Sequence, residues 1–300
     1  MPRLSGRVAI VTGAGRGLGR AHALALAGHG AAVVVNDLGA EVSGDGADPT
    51  PAQSVVDEIR VGGGSAVASG HDVCDWAAAA ELVRLAVDTF GGLDVLVNNA
   101  GNLRDRTLAN MSEPDWDRVI AVHLKGHAAP SRHAVAYWRE QSRAGRPVRA
   151  SVIHTSSASG LVGNVGQANY GAAKLAVLAL SATIRLEAGR YGVRSNVIAP
   201  AAVTRMDGSS ATPTAGLEAH RVSPLVAWLA GADCPATGQV FQVHGRRILI
   251  LQVPAITADL TTEREWTLDE LDRVLPPRLV TPLTLEDLLP PADLLPTANP

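Results

Sequence analysis

The chain has 300 residues, 46% of them hydrophobic, which is enough for a sizeable core and excludes global disorder. Its 26 basic and 29 acidic residues leave a formal charge of −3, so there is no broad basic field for nucleic acid. Cys74 and Cys234 lack CxxC spacing and cannot build a disulfide framework, and no apolar run approaches the roughly 18–20 residues of a membrane span. The first residues lead straight into a strand pattern with no signal-peptide core, so the expectation is a cytoplasmic protein with no membrane partner.

Residues 7–11 read as a strand, 17–28 as a helix and 31–36 as a second strand. Residues 53–61 read as a helix, 66–69 as a strand, 75–90 as a helix and 93–97 as a fully buried strand. One long helix is expected from 115 to about 141, then a strand at 148–155 and a helix at 170–189. Strands follow at 193–198 and 238–243. Strands separated by helix-length segments imply parallel βαβ crossovers. The expected fold is therefore α/β, a doubly wound parallel sheet of Rossmann type with helices on both faces.

Two stretches break this pattern. Residues 39–51 are turn-rich and longer than a usual strand-to-helix connection. Beyond Pro254 the alternation stops, and eight of the 18 prolines lie in 254–300. Within that stretch Thr267-Leu-Asp-Glu270 matches a capping box before a short helix. The expected organisation is a Rossmann domain over 1–252 and a proline-rich extension, 253–300, packing on the core or on a partner subunit.

Thr12-Gly-Ala-Gly-Arg-Gly-Leu-Gly19 follows a strand and opens a helix. Glycines let a backbone turn tightly and approach a pyrophosphate, while the helix N-terminus supplies N–H groups and a favourable dipole. Gly13, Arg16, Gly17, Leu18 and Gly19 are candidate cofactor contacts on this ground. Asp37 ends the next strand, 18 residues past Gly19, where a carboxylate would bond an adenosine ribose diol. There it repels a 2′-phosphate and favours NAD over NADP. Arg16 pulls weakly the other way, and position 38 is Leu, where a second cation would have helped NADP.

Tyr170-Gly-Ala-Ala-Lys174 puts a phenol and an ammonium at i and i+4 on one helix face. A free phenol ionises near pH 10, too high for an efficient base at neutral pH. A cation about 4 Å away, at an effective dielectric of about 20, is worth roughly 4 kcal/mol, or about three pH units. The pair suits proton transfer at a hydroxyl whose carbon also gives or takes hydride.

In order and approximate spacing, these motifs resemble those of the short-chain dehydrogenases/reductases. The residues concerned are TGAGRGLG at 12–19, Asp72-Val73, Asn98-Asn-Ala-Gly101, Ser157, Tyr170 and Lys174, and the resemblance covers about 4–245. It implies that Tyr170 is the acid/base and that Lys174 holds the nicotinamide ribose and lowers the phenol. It implies that Ser157, 13 residues before Tyr170, bonds the substrate oxygen, with Ser156 the adjacent alternative. Asp72 and Val73 would meet adenine, and Asn99, Ala100 and Gly101, following Asn98, would line the cofactor. Pro200, Val203 and Thr204 match the segment after the sixth strand, with Ala201 where Gly is usual. His123 stands where the family often has an asparagine that supports a proton relay, and histidine can both donate and accept. His123 and His127 have a metal-binding spacing, but no third ligand accompanies them locally and no metal is expected.

Residues 34–39, 98–105, 116–117 with 122–126, and 156–170 are similar to a narrower group: the (3R)-hydroxyacyl-CoA dehydrogenase domain of multifunctional enzyme type 2, also called 17β-hydroxysteroid dehydrogenase type 4, with its free-standing bacterial relatives. His123 and the long 39–51 loop agree with that group. The resemblance implies NAD-dependent oxidation of a small-molecule alcohol, acyl-CoA or steroid-like, by a homodimer or homotetramer. The chain departs from the group after Met206, where 207–220 is short and polar, and substrate identity is open there. One alternative is an NADPH-dependent 3-oxoacyl reductase. Another, of a different class, is a non-catalytic dinucleotide-sensing protein, against which the intact Ser157, Tyr170 and Lys174 argue. Of the 26 basic residues only Lys125 and Lys174 are lysines. Lys125 reads as drift, whereas Lys174 does what a planar guanidinium does poorly, reaching both a ribose and a phenol.

Overall fold

The computed structural model describes residues 3–202, 217–252, 254, 257–261 and 265–288. Seven parallel strands lie in the order β3-β2-β1-β4-β5-β6-β7, with an antiparallel β8 at the edge. They are β1 (Val8–Thr12), β2 (Ala32–Asn36), β3 (Ser65–Ser69), β4 (Val95–Asn98), β5 (Ala150–Thr155), β6 (Val193–Pro200), β7 (Val240–His244) and β8 (Arg247–Leu251). Strands covered by helices on both faces read as continuous apolar runs, and every residue of β1, β4, β5 and β7 is buried.

Successive side chains of a strand point to opposite faces. Ala9, Val11, Val33 and Val35 meet α1 (Gly17–Gly28), α2 (Thr50–Val61) and α8 (Ser223–Ala230) through Leu26, Val56 and Leu229. Val8, Ile10, Val34 and Leu96 meet α3 (Trp76–Phe90), α5 (Gly126–Arg143) and α7 (Ala168–Ala188) through Leu82, Trp138 and Ile184. Trp138 is buried and spends its indole N–H on the Leu93 carbonyl at 2.7 Å.

The long helix expected from 115 is broken. It consists of α4 (Glu113–Ile120), a π-helical turn at Ala121–Lys125, and α5. A π turn adds a residue to the helical period, so apolar spacing alone does not announce it. The wide turn brings His123 and Gly126 inward, and a Cβ on Gly126 would stand 2.8 Å from Val73 Cγ2. Among the elements absent from the sequence expectation are α8, which packs on α1, and β8. A two-residue hairpin, Gly245-Arg246, reverses the chain into β8 with Gly245 at φ +49°.

The extension carries α9 (Leu268–Val274), whose Thr267–Glu270 capping box is formed in both directions. It ends, among the described residues, in α10 (Leu285–Leu288), capped by Thr284 bonding to Asp287. This short helix packs against α6 (Ala158–Val162), with Leu288 4% exposed. No helix among the described residues is long and apolar enough to cross a membrane.

Candidate active site

The sheet changes direction between β1 and β4, and a crevice opens at the carboxyl ends of the strands on either side of such a point. Thr12, the last residue of β1, ties the two together. Its hydroxyl donates to the Val97 carbonyl and accepts the N–H groups of Asn99 and Ala100 at 2.9 and 3.1 Å. The Asn99 side chain returns two bonds, to the carbonyls of Thr12 and Gly13.

The glycine loop fits tightly here. A Cβ on Gly13 (φ +62°) would stand 2.7 Å from Ala100 Cα, and one on Gly19 would stand 2.1 Å from the Gly13 carbonyl oxygen. A Cβ on Gly15 would fall 2.9 Å from Asp37 Oδ2. Asp37 holds both sides of the loop entrance, accepting Gly15 N–H and Gly39 N–H at 2.7 Å each. Arg16 reaches into the same region with a buried Nη1 that has no hydrogen-bond partner. This bare backbone, a helix start behind it and a carboxylate beyond it fit a dinucleotide.

A cleft of about 530 Å³ runs from this loop to the start of α7. It is lined by Gly13, Arg16, Gly17, Leu18, Asp37, Asp72, Val73, Asn99, Ala100, Gly101, His123, Ser157, Tyr170, Lys174 and Pro200. Gly19 sits behind the wall, against Gly13 and Asn99. Val203 and Thr204 lie outside the described residues. Cys74 also faces the cleft, but burial and Asp72 push its thiol up to about 12, which leaves it without nucleophilic character.

Lys174 is buried, donates to the Thr155 carbonyl at 2.6 Å, and lies 5.6 Å from the centre of the Tyr170 ring. Burial lowers its pKa to about 7. The Tyr170 ring meets His123 edge-on, with 4.9 Å between ring centres. His123 Nε2 lies 2.7 Å from the Asn102 carbonyl and 3.1 Å from the Asn102 N–H. One nitrogen cannot donate and accept at once, so these two contacts belong to opposite tautomers. Burial, followed by the Lys174 charge, keeps His123 neutral by holding its pKa well below the usual histidine value. Gly101 makes room for this ring, since a Cβ there would stand 2.6 Å from His123 Cε1.

Geometry separates the two adjacent serines. The Ser156 hydroxyl is turned to the Lys174 carbonyl at 2.7 Å. Ser157 caps α6 at the cleft wall, accepting the Ser159 N–H at 3.2 Å.

Several residues that the sequence motifs did not single out complete the site. Buried Asn169 accepts the Tyr170 N–H at 2.7 Å and donates to the carbonyls of Arg104 and Asp115. It pins the start of α7 to two other segments. The 39–51 loop crosses the cleft as a strap. Its Val42 carbonyl accepts the Leu103 N–H, its Ser43 carbonyl accepts from Asn102 and Arg104, and Arg118 donates to Gly44. Arg104 also pairs with Asp45 at 2.8 Å. At the other end, Leu217 and Leu285 give the cleft apolar walls, Leu285 coming from α10 of the extension.

A glycine loop at the sheet's switch point, beside a phenol–ammonium pair, defines a Rossmann-type oxidoreductase. The chain belongs to the short chain dehydrogenase family, which matches residues 7–213 and whose members use nicotinamide dinucleotides. It is 44% identical over 288 residues to hydroxyacyl-CoA dehydrogenase ChsB1 of Mycobacterium tuberculosis, covering 91% of this chain and 88% of that protein. It is 46% identical over 244 residues to mouse peroxisomal multifunctional enzyme type 2, covering 80% of this chain but only 32% of that protein. A short chain dehydrogenase crystal structure from Mycobacterium avium superposes with a TM-score of 0.86 at 50% identity, covering 94% of this chain and 98% of that one.

Proposed function

We propose that this oxidoreductase is an NAD-dependent dehydrogenase of 3-hydroxyacyl-CoA thioesters, with 17β-hydroxysteroids as the neighbouring substrate class. The observation that carries the reading is the convergence of Ser157, Tyr170, Lys174 and His123 on the cleft that also holds the glycine loop. The similarity to a hydroxyacyl-CoA dehydrogenase over most of both chains supports the acyl-CoA choice. Two leucines at the substrate end, Leu217 and Leu285, suit an acyl chain.

A bound nicotinamide dinucleotide would supply the acceptor for the hydride of the carbinol carbon. Gly13, Arg16, Gly17, Leu18 and Gly19 would hold its pyrophosphate, Asp37 the adenosine ribose, and Asp72 and Val73 the adenine. Asn99, Ala100, Gly101 and Pro200 would line the nicotinamide half. Ser157 hydrogen-bonds the substrate oxygen, and Tyr170 takes the hydroxyl proton. Lys174 holds a positive charge beside the phenol and favours its ionised form. His123, neutral beside the Tyr170 ring, would complete a relay that returns the proton to solvent, taking a proton on one ring nitrogen as it releases one from the other. Asp37 supports NAD, because a 2′-phosphate would face its carboxylate. The orphaned Arg16 Nη1 favours the second reading, an NADPH-dependent 3-oxoacyl reductase. A homodimer or homotetramer is the expected assembly, and the exposed Ile248 and Ile250 on edge strand β8 support it.

The test is steady-state kinetics on hydroxyacyl-CoAs, hydroxysteroids and simple secondary alcohols with both cofactors, alongside Tyr170→Phe. The expected result is NAD-dependent turnover of a hydroxyacyl-CoA, abolished in Tyr170→Phe with NAD affinity largely kept. Turnover retained in that variant refutes the assignment of Tyr170. A preference for NADPH and the ketone overturns the NAD reading.

A further inference from the structure

Asn169 is fully buried, and both ends of its carboxamide are in use. Its Oδ1 accepts the Tyr170 N–H at 2.7 Å. Its Nδ2 donates to the Arg104 carbonyl at 3.1 Å and to the Asp115 carbonyl at 2.9 Å. A carboxamide has two N–H donors, so these carbonyls exhaust them. The same two residues also meet through their side chains, with the Arg104 guanidinium 3.6 Å from Asp115 Oδ1. Closing the first turn of α7 would need only the oxygen of Asn169. Its NH₂ group is spent wholly on segments distant in the sequence.

Those segments are the two that hold His123. Asp115 lies on α4, which runs directly into the π turn that carries His123, about 12 Å further along the axis. Arg104 follows Asn102 by two residues, and the Asn102 carbonyl and N–H face His123 Nε2 at 2.7 and 3.1 Å. The Tyr170 ring, on the residue next to Asn169, meets the His123 ring edge-on with 4.9 Å between centres. Ring contacts of this kind are weak and accept a range of separations, so the segments that carry the rings decide the distance.

We propose that Asn169 is a positioning residue for proton transfer. By gripping α4 and the Asn102–Arg104 segment with one carboxamide, it fixes the Tyr170 phenol against His123. The inference rests on the reading of Tyr170 as the acid/base and His123 as its relay. A side chain that only anchored α7 would matter equally with or without His123. A positioning residue loses its effect on turnover once the group it positions is gone.

The experiment compares Asn169→Ala, His123→Ala and the double variant, using NAD and the best substrate of the alcohol panel. Asn169→Ala should lower kcat about tenfold or more, with both KM values within about twofold of wild type. The solvent deuterium isotope effect on kcat should rise, because proton transfer is the step that slows. In the His123→Ala background the same substitution should lower kcat by about twofold or less. Asn169→Ser keeps a hydroxyl beside the Tyr170 N–H but is too short to span both carbonyls. It should show the same pattern, and it decides the matter if Asn169→Ala does not fold. Equal fold losses in the two backgrounds overturn the inference, as does lowered stability in urea with wild-type kcat and isotope effect. Either result leaves the catalytic reading standing where Tyr170→Phe is inactive. Turnover in Tyr170→Phe removes that reading, and wild-type kcat in His123→Ala removes the relay and this inference with it.

Discussion

Acid should weaken this protein well above the range where its carboxylates titrate, through histidines that are neutral in the fold. His22 on α1 is fully buried, bonds Ser223 Oγ through Nδ1 at 2.9 Å, and has its pKa lowered to about 3 by burial. His154 is lowered to about 3 for the same reason, with Lys174 second. In the unfolded chain each binds its proton near pH 6.5. Between those two values the unfolded state holds more protons, so stability falls as pH drops below about 6.5 and levels off near 3. At pH 5 each residue costs about 2 kcal/mol relative to pH 8, hence about 4 kcal/mol for the two. That is a large part of a typical 5–15 kcal/mol total. His123 and His127 act in the same direction, since both are held well below their ordinary values. Urea unfolding followed by tryptophan fluorescence at pH 8, 7, 6 and 5 measures this. His22→Gln should remove about 2 kcal/mol of the difference between pH 8 and pH 5. Equal stability at those two pH values, or an unchanged difference in His22→Gln, would refute the reasoning.

Three further outcomes follow from the site. Asp37→Ala should reduce the preference for NAD over NADP by about tenfold or more, because it removes a like charge facing the 2′-phosphate; an unchanged ratio of kcat/KM values counts against its role. Gly101→Ala places a methyl against His123, so kcat should fall by about tenfold or more, while wild-type kcat would show that the ring is not needed where it stands. Leu285→Ala should raise KM for a long-chain substrate about fivefold and leave short alcohols unaffected; equal effects on both would detach α10 from substrate binding.

The parallel sheet was readable because strands buried on both faces read as near-continuous apolar runs, as in Val8–Val11 and Val95–Val97. The glycine loop and the Tyr170–Lys174 pair were readable because each is a local motif whose chemistry depends on fixed spacing. The helix break at Ala121–Lys125 was not, since the groups packed against it, Gly101 at His123 and Val73 at Gly126, come from other parts of the chain. Asn169 is one residue from Tyr170, yet its importance comes from Arg104 and Asp115, more than fifty positions away. Leu285 is a leucine in a proline-rich tail until the fold brings it to the cleft. The buried histidines look like scattered single residues, and only pairing across α5 and β5 makes them a unit.

The five residues 102–106 serve three regions at once. They hold the strap through Ser43, Val42 and Asp45, the start of α7 through Asn169, Gln167 and Gly166, and His123 through the Asn102 peptide. The strap over the cleft and the segment that carries Tyr170 therefore share one anchor. Loosening the strap should disturb the Tyr170 end of the cleft as well as the Asp37 end, and tightening it should stiffen both. An alteration at Ser43 or Asp45, far in sequence from Tyr170, should therefore change turnover as well as affinity.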